Sequence, residues 1–182
     1  MPTEHKLLIK RCIIGNTKAQ MQLYNLYCDA MFNVVCRYFK NKEDAKDIMQ
    51  EGFLKAFLHI HNYKDDYSFG SWLKRIIINQ CIDTLRKQKI TFVDIDTEQL
   101  EVSDDNIWDF DVFISKELIL DNIEKLPEKH KIVVKLYLIE GYDHEEVSQI
   151  LNIPIKTSRT HLRRGKQQLK QLLKTKYNET RY

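Results

Sequence analysis

DAKDIMQEGFLKAFLHIHNYKDDYSFGSWLKRIIINQCIDTLRK, residues 44–87, decides the fold. Its two ends are helical patterns and its middle is not. In 44–57, Ile48, Phe53, Ala56, Phe57 and then Ile60 recur at helical spacing and build a buried stripe. The other side carries Asp44, Asp47 and Glu51, three carboxylates on one exposed face. In 71–89 the apolar positions are Leu73, Ile76, Ile77, Cys81 and Leu85. Arg75, Asn79, Asp83 and Arg86 form the polar side, four, four and three residues apart. Between the helices, HNYKDDYSFG (61–70) is too polar and turn-rich to stay helical, yet it holds Tyr63, Tyr67 and Phe69, with Trp72 just beyond. One helix offers acid to a partner. The other offers cations and amides beside stacking aromatics, a combination suited to single-stranded or unpaired nucleic acid. Charged helix faces are ordinarily just solvated, loop aromatics ordinarily close a core, and Glu51 to Lys55 reads as an intrahelical pair. The order of these elements, together with the C-terminal third of the chain, gives the pattern its meaning.

Further along, Gly141 ends an apolar helix (IVVKLYLIE, 132–140), and YDHEEVSQILNIPIKTSRTHLRRGKQQLKQLL (142–173) comes next. Val147, Ile150 and Leu151 form the inner face of a short helix. Asn152 tolerates the left-handed backbone of a tight turn, Ile153 and Ile155 are expected to anchor that turn, and Pro154 suits the break before a new helix. The next helix is polar and basic outward, with Lys156, Thr157, Arg159, Thr160, Arg163, Arg164 and Lys166, while Leu162 and Leu169 face inward. This is the order of a helix-turn-helix whose second helix carries side chains able to reach base edges and phosphates.

Bulk properties agree. The 182 residues suit one large or two small domains. Five Gly, three Pro and 43% hydrophobic residues fit a mostly helical chain. Helices are expected near 4–14, 16–40, 43–60, 69–89, 113–125, 128–140, 143–151 and 155–175, with Pro127 in a first turn and Tyr177 to Tyr182 frayed. The net charge of +3 hides segregation: +6 over residues 1–90, −9 over 91–126 and +6 over 127–182. Two basic modules joined by acid is the layout of a bipartite nucleic-acid binder. The segment TFVDIDTEQLEVSDDNIWDFD (91–111) reads as an extended or disordered tether. No apolar run approaches membrane-spanning length and the N-terminus is no signal peptide, so the chain is expected in the cytoplasm without membrane insertion. Cys12, Cys28, Cys36 and Cys81 are widely spaced on apolar faces and read as reduced core thiols. There is no Gly-rich phosphate loop, HExxH or nucleophile elbow. His59 and His61 with Asp65 and Asp66 would be the only hydrolytic metal cluster, but two histidines two apart on a helix end point differently. The chain is therefore read as no enzyme, with no metal and no cofactor.

Together these residues resemble an extracytoplasmic-function (ECF) RNA polymerase sigma factor of the sigma-70 family. DAKDIMQEGFLKAF is similar to the family's core-binding helix, with Asp44, Asp47, Gln50, Glu51 and Phe53 at its characteristic positions. FGSWLKRIIINQCIDTLRK (69–87) resembles its promoter-melting and minus-ten-reading helix, and residues 126–169 its minus-thirty-five-binding domain. The chain departs from the family's usual residue at Ser148 (usually Ala), Asn152 (Gly), Ser158 (apolar) and Asp65 (often Gly). The resemblance implies an all-α chain of two small helical domains joined by an acidic linker. A region 2-like domain would occupy 1–90, a flexible linker 91–112, and a region 4-like helix-turn-helix domain 113–182.

It also implies roles. Asp44, Asp47, Gln50, Glu51 and Phe53 would dock on core RNA polymerase, at the coiled coil of its largest subunit, with the flap as a second contact. Tyr63, Lys64, Phe69 and Trp72 would receive an unstacked minus-ten base. Asn79 would bond a base, Arg75, Arg86 and Lys87 would hold phosphates, and Asp83 would orient Arg86. In the minus-thirty-five major groove, Arg159, Thr160, His161 and Arg163 would read bases, with Lys156, Thr157, Arg164 and Lys166 nearer the backbone. The linker would thread toward the polymerase cleft, Asp104, Asp105, Asp109 and Asp111 mimicking nucleic acid. Promoter DNA and an anti-sigma factor complete the partners. The competing readings are a stand-alone helix-turn-helix regulator with a sensing or dimerising N-terminal domain and, more distantly, a structural RNA-binding protein. A regulator has no need of an acidic docking helix followed by Asn79, Asp83 and Arg86, and the RNA-binding reading predicts similar RNA and DNA affinity with no dependence on polymerase.

Overall fold

Asn16, Asn41 and Ser68 each sit in extended backbone and accept a hydrogen bond from the amide two or three residues on, so the chain turns into a helix after each of them. A computed structural model describes residues 2–88 and 115–179, with side chains over 4–88 and 115–175. The chain divides after Gln88 into two compact units, and no strand occurs among the described residues. The segment 91–112, with Asp104, Asp105, Asp109 and Asp111, lies outside the described residues.

The first unit holds α1 (Pro2–Ile13), α2 (Thr17–Val35), α3 (Lys42–Leu58), a single 3₁₀ turn (Ile60–Asn62) and α4 (Phe69–Lys87). The periodicity predicts α2 as far as residue 40. It stops at Val35 because the amides of Arg37 and Tyr38 bond carbonyls only three residues back, which tightens the chain and turns Phe39 into the core. The interior is aliphatic, built on Leu23, Val35, Leu73, Ile77, Ile78 and Ile82. Each such side chain contributes about 1.5–3 kcal/mol by leaving water. Gly52 sets how closely α3 meets α4, since a Cβ there would lie 2.5 Å from Ile77 Cδ1.

The second unit runs α5 (Lys116–Ile123), α6 (Glu128–Val134), α7 (His144–Leu151) and α8 (Ile155–Glu179). Pro127 is the residue before α6 rather than inside its first turn. The expected helix 128–140 is not uniform: it widens into a π turn over Lys135–Ile139 and ends at Gly141, whose φ is +82°. Lys135 is buried yet bonded to Glu124 at 2.6 Å, which ties α6 to α5. Burial pushes its ammonium below the ordinary lysine value and Glu124 opposes that shift. Ile132, Val133, Leu136, Val147, Leu169 and Leu173 fill the interior. At Gly165, α8 passes so close to α6 that a Cβ would stand 2.6 Å from Val134 Cγ2.

Candidate functional site

On α3, Asp44, Asp47, Gln50 and Glu51 are all exposed, as their spacing predicts. Phe53 is not on that surface. It is 3% exposed and packs on Tyr24 and Phe57 with ring centroids 4.7 and 6.1 Å away, so it is a core residue that reaches the surface only as part of the lining of a groove. The apolar part of this face comes from residues whose spacing alone did not single them out. Met21 and Leu54 stand well out of the core and, with Gln50, Tyr24, Phe53 and Phe57, border a groove of about 440 Å³ between α2 and α3. Glu51 does not pair with Lys55. It accepts a hydrogen bond from Gln80 Nε2 on α4, and Lys55 lies 3.7 Å from Asp83 instead.

Across the unit, the loop 62–68 is held from several sides. Tyr63 donates to the Tyr67 carbonyl at 2.7 Å, and Asp65 forms an ion pair with Lys6 on α1. That bond raises the Lys6 ammonium and lowers the Asp65 carboxyl relative to their ordinary values. Asp65, where the family often has Gly, thus has a structural use. Phe69 is 3% exposed at the centre of an aromatic cluster, with Tyr27, Tyr63 and Trp72 each 5.4 Å away. Buried there it cannot stack on a base, which corrects its expected role to support of the loop. Lys64 and Tyr67 are exposed and Trp72 is half-buried. Trp72 also borders a hollow of about 310 Å³, together with Lys55, His59, Asn62, Ile76, Asn79 and Gln80. Arg75, Asn79 and Lys87 are exposed along the same helix, and Asp83 accepts from Arg86 at 3.4 Å as expected.

In the second unit, Asp143 opens α7 with a reciprocal cap to Glu146. Asn152 closes the helix at φ 49°, ψ 51°, the left-handed turn its residue type predicts. Ser148 Oγ donates to the Ile153 carbonyl at 2.6 Å and fixes the far side of that turn. Ile153 is buried but Ile155 is 38% exposed, so only the first anchors the turn. Ser158 is fully buried and its hydroxyl meets His144 Nδ1 at 2.9 Å, joining α7 to α8. Outward, α8 presents Lys156 and Arg159 fully and Thr157, Thr160, Arg163, Arg164 and Lys166 in part. Thr160 Oγ1 also donates to the Lys156 carbonyl. His161 is different. It is 1% exposed, its ring 5.4 Å from that of His130, whose Nδ1 meets Gln168 Oε1. A base edge in a groove lies beyond its reach, so it is removed from the readers. The stripe Ser158, His161, Leu162, Gly165 and Leu169 runs at helical spacing, and that periodicity was the signal for its burial.

Among the described residues, no three His, Cys, Asp or Glu are grouped to hold a metal ion, and no helix is long and apolar enough to cross a membrane.

Comparison with known proteins places these elements in a family. Residues 23–90 match the model of Sigma-70 region 2, and residues 116–169 that of Sigma-70, region 4. The chain is 32% identical over 180 residues to the ECF RNA polymerase sigma factor SigW of Bacillus subtilis, covering 93% of this chain and 96% of that one. It is 28% identical to the ECF RNA polymerase sigma-E factor of Escherichia coli K12, covering 89% and 90% of the two chains. Among solved structures, CnrH, in complex with the cytosolic domain of CnrY, shares the fold with TM-score 0.54 at 19% identity, over 93% of this chain and 96% of CnrH. The sigma factor RpoE, in complex with the anti-sigma factor NepR from Bartonella quintana, gives 0.55 at 18%, over 85% and 96%.

Proposed function

Because the chain belongs to the ECF sigma factors of the sigma-70 family and so directs transcription initiation, we propose how its surfaces divide that work. Asp44, Asp47, Gln50 and Glu51, with Met21 and Leu54 beside them, dock on a basic or polar coiled coil of the largest polymerase subunit, and the flap is a second contact for the C-terminal unit. The observation that carries this reading is the pairing of α3 with α4: an acidic outer face on one helix and an amide- and cation-bearing face on the other, packed together in one unit.

Opening of the minus-ten element depends on the second face. An unstacked base costs a few kcal/mol to extrude, and an aromatic wall returns about 1–3 kcal/mol by stacking. Trp72, with Tyr63 behind it, supplies that wall, Asn79 bonds a base edge, and Arg75, Lys64, Arg86 and Lys87 hold phosphates. In the second unit, α8 enters the minus-thirty-five major groove. Arg159, Arg163 and Thr160 reach base edges, while Lys156, Thr157, Arg164 and Lys166 neutralise backbone. The bond-making chemistry belongs to the polymerase. The domain limits we assign are 1–90, 91–112 and 113–182, the chain works in the cytoplasm, and an anti-sigma factor is a further partner.

The test supplies bacterial core polymerase with the chain and a pool of randomised promoters. Specific transcripts are expected with wild type and are lost with an Asp47→Lys, Glu51→Lys double variant that keeps its helicity. A double variant as active as wild type would remove α3 as the docking face, and tight binding of duplex without polymerase would argue for a self-sufficient regulator.

A further inference from the structure

We propose that Lys6, on α1, is a positioning residue for promoter recognition: its ion pair with Asp65 holds the loop 62–68 in the shape that presents Tyr63 and Lys64 to the minus-ten strand. The proposal rests on the assignment of that loop and α4 to the minus-ten element made above.

The residues matched to region 2 begin at 23, so α1 precedes them, yet its own spacing ties it to the loop. Ile9 and Cys12 are buried and His5 is half-buried on the same helical face, while Lys6 and Lys10 stand exposed beside it. His5 Nε2 meets the Tyr27 hydroxyl at 2.9 Å, and its ring lies 5.9 Å from Tyr27 and 6.1 Å from Phe69. Phe69 closes the far end of the loop. Tyr27 also lies against the residue after it, since a Cβ on Gly70 would stand 3.1 Å from Tyr27 Cε1. The start of α1 and the end of the loop are thus packed into one aromatic cluster.

Lys6 follows His5 and reaches the middle of the loop, pairing with Asp65. The two side chains are 59% and 60% exposed, and an exposed pair ordinarily contributes little because both side chains must be ordered to make it. Here much of that ordering is already done. The cluster around His5 fixes the helix under Lys6. Tyr63 closes the loop under Asp65, donating to the Tyr67 carbonyl at 2.7 Å and standing 3.5 Å from Asp65 Oδ1. A weak bond is enough for this task, because it has only to favour one loop shape over others. Lys64 and Tyr67 are then among the outward side chains, a cation and a ring 77% exposed, suited to a phosphate and a base. A Gly at position 65 would offer Lys6 nothing to bind.

The experiment uses the full chain on core polymerase with two promoter pools, one randomised in the minus-ten element and one in the minus-thirty-five element. Transcripts are sequenced for wild type, Lys6→Glu, Asp65→Lys and the double exchange. Base preference is the readout, because an added or lost cation changes affinity for all sequences alike. Each single variant is expected to weaken the strongest minus-ten preference by about two- to fivefold and to leave the minus-thirty-five preferences as they were. The double exchange restores attraction with the charges reversed and returns the preference to within about twofold of wild type. A Lys6 that met DNA itself would show no such rescue. If a charge reversal fails to fold, Lys6→Gln, Asp65→Asn and their double variant carry the comparison, the double losing no more than either single. Undiminished preference in folded single variants, a double exchange no better than the singles, neutral variants whose losses add, or equal losses at both elements would each overturn the role of Lys6 while leaving the minus-ten surface standing. A wild type without preference at any minus-ten position would instead remove that surface, and the proposal with it.

Discussion

Ser158 carries a hydroxyl into a position with no solvent, and the structure supplies the reason in His144, fourteen residues back. Changing Ser158 to Ala removes that bond and is expected to lower stability by about 1 kcal/mol in urea unfolding. Minus-thirty-five binding should fall with it, because the bond links the two helices of the motif. A variant with unchanged midpoint and unchanged DNA affinity would show that the bond contributes nothing. Three of the four departures from the family pattern have a side-chain partner: Ser148 at the Ile153 carbonyl, Ser158 at His144 and Asp65 at Lys6. Asn152 was legible, since few residues tolerate φ near 49°. The partners of Ser158 and Asp65 were not, because a sequence gives the face of a helix and not what stands opposite. Phe53 and His161 teach a different lesson. Both lie on buried stripes by spacing, and at His161 that period outweighs the outward role of its neighbours on α8.

At the scale of elements, the helices and their order could be read from periodicity and caps, while the closeness of their packing could not. Gly165 looks like a weak point in α8, yet it is where α8 meets α6 at Val134 and His130. Gly165→Ala is favourable to an isolated helix by nearly 1 kcal/mol. In this fold it should destabilise by about 1–3 kcal/mol, because Val134 must shift in a packed interior. Thermal unfolding of the full chain gives the sign, and a raised Tm would mean that the two helices separate at little cost. The π turn over Lys135–Ile139 had no signal, since its residues continue the apolar helical pattern without a Gly or Pro.

For the whole molecule, charge is the property that sequence alone delivers. Two modules of +6 flank a segment of −9, and eight of its eleven carboxylates precede α5 in the sequence. If the acidic tether occupies the path of nascent RNA, replacing Asp104, Asp105, Asp109 and Asp111 with Asn should change the ratio of short abortive products to full-length transcripts. An unchanged product ladder on several promoters would end that idea. The hydrogen bond between Glu51 and Gln80 has a broader consequence. It joins the α3 face proposed for docking to the α4 helix proposed for the minus-ten element, so a change at either residue would be felt by the other. Promoter choice and competitiveness for a limited supply of polymerase are then inherited together. A duplicate of this chain that drifted toward new promoters through changes in α4 that reach Glu51 would also change its share of the enzyme, and selection would have to accept both effects or neither.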